Sequence, residues 1–141
     1  MIDHIKLFVS DFEGSRAFYE RALQPLAYRV LLAPAAGVVG MGREFPDFWI
    51  AQTDAPATAH VAFRADDREL VDAFHEAAIT AGGSDNGGPG SRPQYHEHYY
   101  GAFILDPDGN KVLSVMRTLA ALRCARRNHR LPKTRRRPAA R

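Results

Sequence analysis

The stretch DHIKLFVSD at residues 3–11 decides the fold, because its pattern returns 56 positions later as AHVAFRADD at residues 59–67. Both stretches alternate apolar and polar side chains, which is typical of a β-strand with one buried face. The match also aligns His4 with His60, and a shared strand pattern alone would not align a histidine. We therefore interpret the chain as two copies of one structural module.

Each copy is predicted to fold as one strand, one helix and three further strands, a βαβββ module. The first module spans about residues 3–53 and the second about residues 58–116. Helices are predicted over residues 12–23 and 68–81, where apolar residues recur near helical spacing. The predicted fold class is therefore α+β, with two curved mixed sheets around a shared cavity and one helix covering each sheet.

The later strands are short and are bounded by turn residues. They are predicted at about residues 27–33, 38–43 and 48–52 in the first module and 99–105 and 111–116 in the second. The turn DPDGN at residues 106–110 has the proline and glycine of a tight hairpin connection. Residues 82–93 hold five glycines and two prolines, which predicts a mobile loop.

The net charge of +3 averages two unlike parts of the chain. Residues 1–116 hold nine Lys and Arg against all sixteen Asp and Glu, a net charge of −7, whereas residues 117–141 hold ten basic residues and no acid, a net charge of +10. Such a block predicts a disordered basic tail. The alternative is an arm that binds nucleic acid, but no aromatic residues interleave the arginines, so nucleic-acid contact is not expected.

Length and composition exclude several classes of protein. The 141 residues suit one folded unit, and no apolar run approaches the roughly 20 residues that cross a bilayer. The N-terminus lacks the basic and apolar regions of a secretory signal, and the single cysteine, Cys124, excludes an internal disulfide. These features predict a cytoplasmic protein without a membrane partner.

Four histidines are candidate metal ligands. His4 and His60 lie opposite the apolar faces of their strands, and two imidazoles on rigid strands would form half of a divalent metal site. Hydrogen-bonded histidines at the rim of a cavity are the alternative. His96 and His98 share a face if their segment is extended, and either could complete the site. The alternative for this pair is a polar rim.

Three segments together resemble the vicinal oxygen chelate superfamily, which includes glyoxalases, bleomycin-resistance proteins, fosfomycin-resistance enzymes and extradiol dioxygenases. They are the opening residues 3–11, the strand AHVAF at residues 59–63 and the closing segment YYGAFILDPDGN at residues 99–110. The resemblance covers residues 1–116. It implies two paired βαβββ modules, a homodimer and a small-molecule ligand bound between curved sheets.

The resemblance also implies a divalent metal, such as zinc, nickel, manganese or iron, held by His4 and His60. In members of the superfamily the final strand commonly reads Gly-Asn-x-x-Glu, in which the glutamate is a ligand. This chain has Leu113 at that position, and a leucine cannot coordinate a metal. His96 or His98, or else water or substrate oxygens, would have to supply the remaining ligands. Glu97 is a substitute candidate for the general base.

Two functions are compatible with this sequence. The first is a lyase, isomerase or dioxygenase in which a metal chelates vicinal oxygens and stabilises an oxyanionic intermediate. The second is a metal-free protein that sequesters a drug-like or aromatic ligand, as bleomycin-resistance proteins do. Lys6 offers a charge to an anionic or carbonyl-bearing ligand. The side chains expected to line the ligand pocket are Phe8, Trp49, Arg64, Tyr95, Tyr100 and Leu113.

Overall fold

The computed structural model describes residues 2–116. In chain order the elements are β1 (Ile5–Val9), α1 (Phe12–Ala22), a 3-10 turn (Gln24–Leu26), β2 (Arg29–Ala35), β3 (Val38–Gly42), β4 (Phe48–Gln52), β5 (His60–Ala65), α2 (Arg68–Thr80), β6 (Ser84–Asp85), β7 (Gly90–Ser91), β8 (Tyr100–Leu105) and β9 (Lys111–Met116). The predicted basic tail, residues 117–141, lies outside the described residues. No helix in residues 2–116 is long and apolar enough to cross a membrane.

Two mixed sheets and two helices confirm the α+β prediction. One sheet has the strand order β1-β4-β3-β2 and the other β5-β9-β8-β6, with β7 also paired to β8. In both sheets the first strand of the module runs parallel to its last strand, and the other pairs are antiparallel. The two modules therefore share one topology, as the internal repeat predicts.

The segment over residues 82–93 differs from its prediction as a mobile loop. It contains β6 and β7, and both pair with β8 in antiparallel register. The pairing uses backbone groups, so it does not depend on a side-chain pattern. This segment therefore extends the second sheet at its edge.

An aspartate caps the N-terminus of each helix, and each helix covers one face of a sheet. The Asp11 side chain accepts a hydrogen bond from the Gly14 N–H at 3.1 Å, and the Asp67 side chain accepts one from the Leu70 N–H at 2.8 Å. These contacts satisfy backbone donors that the first helical turn leaves unpaired. The helices also pack against each other.

One hydrophobic core joins the two modules. The Phe48 ring of the first module lies 5.1 Å from the Phe63 ring of the second, and Tyr19 of α1 lies 4.9 Å from Phe48. Edge-on contacts of this kind add to the stability that burial of the rings provides. This core takes the helix-facing side of both sheets, so the candidate ligand site must lie on an opposite face.

The turn between β8 and β9 bonds the second module to the first. The buried Asp106 carboxylate accepts hydrogen bonds from the Tyr19 hydroxyl at 2.5 Å and from the backbone and side chain of Asn110. Both the backbone N–H and the hydroxyl of Ser10 donate to the carboxylate of Asp108. Burial and the Asp106 carboxylate hold the pKa of Tyr19 well above its ordinary value, so this phenol stays a donor.

Candidate functional site

The open face of the first sheet carries the side chains that β1 directs away from the core. Leu7 and Val9 are buried under α1, so the alternating residues Lys6 and Phe8 lie on the other face. Lys6 pairs in register with Trp49 of β4, which places the indole on the same face. Phe8 is 49% exposed there.

A cavity of about 580 Å³ lies on this face, and first-module residues form it. This volume falls within the range of small-molecule sites. Two aromatic rings and two prolines provide its apolar walls, and Asp3, His4 and Lys6 provide polar groups. The lining includes His4, Lys6, Pro34, Phe45, Pro46 and Trp49.

The indole of Trp49 has a fixed position in this cavity. Its Nε1–H donates a hydrogen bond to the carbonyl oxygen of Pro46 at 3.0 Å. Gly40 lies opposite Trp49 in the β3–β4 register, and a Cβ at Gly40 would come within 2.9 Å of indole carbons. The glycine therefore allows the indole to lie against the sheet and present a preformed apolar surface.

The polar groups of the cavity differ in what they contact. The Nδ1 atom of His4 lies 2.8 Å from the Asp3 carboxylate, and these side chains are 51% and 92% exposed. Lys6 makes no ion pair with any residue in the range 2–116. Its ammonium group is therefore available to an anionic or carbonyl oxygen of a ligand.

The open face of the second sheet is filled by the protein's own side chains. Leu113 is 2% exposed and packs in a cluster with Tyr99, Phe103 and Val115. Tyr95 extends this cluster, with its ring 5.0 Å from that of Tyr99, and is itself 60% exposed. Leu113 and Tyr95, both predicted to line the ligand pocket, thus pack on a different sheet from Trp49.

The structure separates the other predicted site residues as well. His60 and Arg64 lie on the open face of the second sheet, where β5 pairs with β9 and both side chains are exposed. Tyr100 packs on the helix-covered side, and its hydroxyl donates to Asp72 of α2 at 2.8 Å. That hydrogen bond raises the pKa of Tyr100. Among the predicted residues, His4, Phe8 and Trp49 therefore share one face.

His96 and His98 make local contacts just before β8. The Nδ1 atom of His96 accepts a hydrogen bond from the His98 N–H at 3.2 Å, and its ring packs edge-on against Tyr99 at 5.2 Å. His98 Nε2 lies 3.9 Å from a carboxylate oxygen of Glu97. The Nε2 atom of His96 is buried with no protein partner in residues 2–116.

The donor groups present do not fit the metal centre that the resemblance implies. Within the described residues, no three His, Cys, Asp or Glu side chains are grouped so that they could hold a metal ion. The position of the superfamily's glutamate is Leu113, which lies inside an apolar cluster. Two histidines without a carboxylate would leave the charge of a divalent ion uncompensated.

Sequence reasoning did not find the loop residues that complete the large cavity. Phe45 and Pro46 follow β3, and Phe45 is 60% exposed. The signal available in the sequence was the aromatic Phe45 next to Pro46 in a short turn. A large apolar side chain in a turn contributes little to a core, so it can instead form part of a binding surface. Pro34, within β2, gave no comparable signal.

The fold and the residues above define a class. The chain belongs to the Glyoxalase/Bleomycin resistance protein/Dioxygenase superfamily, whose family model matches residues 1–113. This result confirms the family resemblance seen in the sequence. The comparison with curated proteins finds no match.

Solved structures of this superfamily share the architecture. A glyoxalase/bleomycin resistance protein from Albidiferax ferrireducens T118 is 30% identical, with a TM-score of 0.71 over 82% of this chain and 98% of that chain. The fosfomycin resistance protein FosX from Listeria monocytogenes is 19% identical, with a TM-score of 0.66 over 85% and 95% of the two chains. A lactoylglutathione lyase from Agrobacterium tumefaciens is 20% identical, with a TM-score of 0.60 over 82% and 92%. The last two likenesses show the fold alone.

Proposed function

We propose that this chain binds a small aromatic ligand on the open face of its first sheet without a resident metal. The observation that carries this proposal is the cavity of about 580 Å³, whose walls include Trp49 and Phe45 and whose cation is Lys6. Aromatic walls favour a flat apolar ligand through stacking and edge contacts. An unpaired ammonium favours a ligand with a carboxylate or carbonyl oxygen.

Metal-dependent catalysis is the second candidate function. It is favoured by the matched positions of His4 and His60, which lie at equivalent places beside β1 and β5. It is disfavoured by the apolar surroundings of Leu113. Metal-dependent catalysis would require further metal ligands, because residues 2–116 contain no group of three His, Cys, Asp or Glu side chains that could hold a metal ion. It would also require a general base.

We expect the binding unit to be a homodimer. Three large apolar side chains of the first module are exposed, namely Phe8 at 49%, Leu32 at 52% and Phe45 at 60%. Such side chains near one open sheet face are typical of a surface that another protein copy covers. Sedimentation of the full chain measures this state directly, and a monomer at every concentration would contradict it.

Titration calorimetry with aromatic probes tests the binding proposal. The probes are 2-naphthoate, which is anionic, and 2-acetylnaphthalene, which has only a carbonyl group. Because the chain has a single tryptophan, Trp49, quenching of its fluorescence reports binding at this cavity. We expect both probes to quench Trp49, and we expect excess chelator to leave the affinity unchanged.

The variant Lys6→Met tests the role of the ammonium group, with Lys111→Met as a matched control. Lys111 lies on the second sheet, 5.2 Å from the centre of the Phe103 ring. We expect Lys6→Met to weaken 2-naphthoate binding by about tenfold, or about 1.4 kcal/mol, with a smaller effect on the ketone. Binding that disappears with chelator, and stoichiometric metal that is lost in His4→Ala and His60→Ala, would instead support the metal-dependent candidate.

A further inference from the structure

A polar cavity lies where the two modules meet. It borders the candidate ligand site, because Asp3 and His4 line both, but Lys6 and Trp49 do not line it. It consists of two adjoining spaces of about 360 Å³ and 260 Å³ that share Tyr28, Asp47 and Arg64. We call it the module-junction cavity. Tyr28 and Asp47 come from the first module, whereas Arg64 comes from β5 of the second.

An acidic group in this cavity has unused acceptor capacity. The Tyr28 hydroxyl donates to Oδ2 of Asp47 at 3.1 Å. Oδ1 of Asp47 is buried, and no protein group in the described range donates to it. Burial and the Asp47 carboxylate raise the pKa of Tyr28 to about 12, so Tyr28 remains a neutral donor. A buried carboxylate oxygen without a donor is unfavourable, and it favours a ligand that brings one.

Two guanidinium groups in the same cavity have unused donors. The Nη1 atom of Arg43 lies 3.4 Å from Oδ2 of Asp66, and the Nε atom of Arg64 lies 4.0 Å from Oδ1 of the same carboxylate. Charge-assisted hydrogen bonds are normally about 2.7–2.9 Å long, so neither contact is a strong pair. Arg43 lines the same space as Tyr28 and Asp47, and its charge acts to lower the pKa of Tyr28 against the larger effects that raise it.

An apolar wall continues from these charges into the smaller space. Val61 and Phe63 of β5 line it together with Ile5 of β1, and Asp3 and His4 line it as well. The Phe63 ring contacts the Tyr28 ring edge-on at 5.3 Å, so the apolar wall begins directly beside the polar groups. The cavity therefore has a charged end, and its other end combines these apolar side chains with Asp3 and His4.

We propose that the module-junction cavity binds an apolar α-amino acid, with its ammonium group at Asp47 and its carboxylate at Arg43 and Arg64. Two carboxylates and two guanidiniums line the charged end, so a simple anion or a simple cation would meet a like charge. A zwitterion meets an opposite charge at each of its ends. The amino-acid side chain would pack against Val61 and Phe63.

Titration of the full chain with L-leucine and two deleted analogues tests the proposal. The analogues are 4-methylvalerate, which lacks the ammonium group, and isoamylamine, which lacks the carboxylate. Nuclear magnetic resonance shifts of the backbone amides of Tyr28, Asp47 and Arg64 report occupancy. We expect L-leucine to shift these amides and each analogue to bind at least about tenfold more weakly.

Two variants and one control assign the binding to this cavity. Asp47→Asn keeps an acceptor for Tyr28 but removes the charge, and Arg64→Ala removes a side chain that is 63% exposed and so spares the core. We expect both to weaken L-leucine binding at least about tenfold, whereas Arg29→Ala, outside the cavity, leaves it unchanged. Equal binding of either analogue, or no shift with any probe at millimolar concentration, would overturn the proposal.

Discussion

The replacement Leu113→Glu introduces the carboxylate that the family resemblance would place at this position as a metal ligand. We expect it to destabilise the fold instead of creating a metal site. Leu113 is 2% exposed, and its neighbours Tyr99, Phe103 and Val115 are all buried. The nearest described cations, Lys111 and Arg92, lie over the Phe103 ring at 5.2 and 5.7 Å from its centre, and a glutamate carboxylate enclosed among these apolar side chains would lose its hydration. The carboxyl group would therefore become protonated in the folded state, since burial raises the pKa of an acid.

The size of the effect follows from the pH. An unfolded glutamate has a pKa of about 4.3, and keeping it protonated at pH 7 costs about 3.7 kcal/mol at about 1.36 kcal/mol per pH unit. The same calculation gives about 1 kcal/mol at pH 5. Because the folded pKa is raised, the loss is absent below the unfolded pKa and grows as the pH rises. Loss of the buried leucine adds about 1.5–3 kcal/mol at every pH.

Urea unfolding at pH 5, 6 and 7 measures this effect, with Leu113→Gln as the matched control. The glutamine variant loses the same apolar burial but has no charge, so the difference between the variants isolates the ionisation. We expect that difference to grow by about 1.4 kcal/mol per pH unit. If the difference stays flat with pH, or if zinc stabilises the glutamate variant but not the glutamine variant, the reasoning about this cluster is wrong.

Two further predictions concern hydrogen bonds outside the cavities. Tyr19→Phe removes the hydroxyl that donates to the buried Asp106 carboxylate, and we expect a loss of about 1.5–3 kcal/mol in urea unfolding; an unchanged midpoint would contradict the role of this bond. The hydrogen bond from His75 lowers the pKa of Asp85 in the folded protein. This hydrogen bond therefore stabilises the fold above the pKa that Asp85 has in the unfolded chain, and the stabilisation is lost as the pH falls through the pKa of Asp85 in the folded protein. His75→Ala should move the Asp85 carboxyl titration upward in nuclear magnetic resonance spectra, and an unmoved titration would count against the contact.

Much of the fold could be predicted because side-chain periodicity and repetition act together. The predicted strands over residues 48–52 and 111–116 have those bounds in the structure, and α1 ends one residue earlier than predicted. The short strands β6 and β7 could not be predicted, since glycine-rich segments have no side-chain alternation and pair through backbone groups alone.

The candidate site was predictable where it lies on a strand and unpredictable where it depends on tertiary packing. Alternation along β1 predicts that Lys6 and Phe8 lie opposite the core, and both side chains are exposed in the structure. Of the two, Lys6 lines the cavity. Tyr100 shares its face with the buried Ala102 and Ile104, so a correct register for β8 would have assigned it to the helix-covered side. Leu113 is enclosed because it packs with Tyr99, Phe103 and Val115, an arrangement of separate segments that no local pattern specifies.

The bonds from the turn before β9 back to α1 have a consequence for how this protein is made. Tyr19 and Asp106 are 87 positions apart, and Ser10 and Asp108 are 98 apart. At about 5–20 residues per second, a ribosome needs roughly 4–17 s to make the chain between Tyr19 and its acceptor. Throughout that interval the Tyr19 hydroxyl has no Asp106 carboxylate to bond. Until Phe63 has been made, Phe48 also lacks its aromatic neighbour in the core. The first half of the duplicated sequence is therefore expected to wait for the second, so that both halves become native in one late step of synthesis.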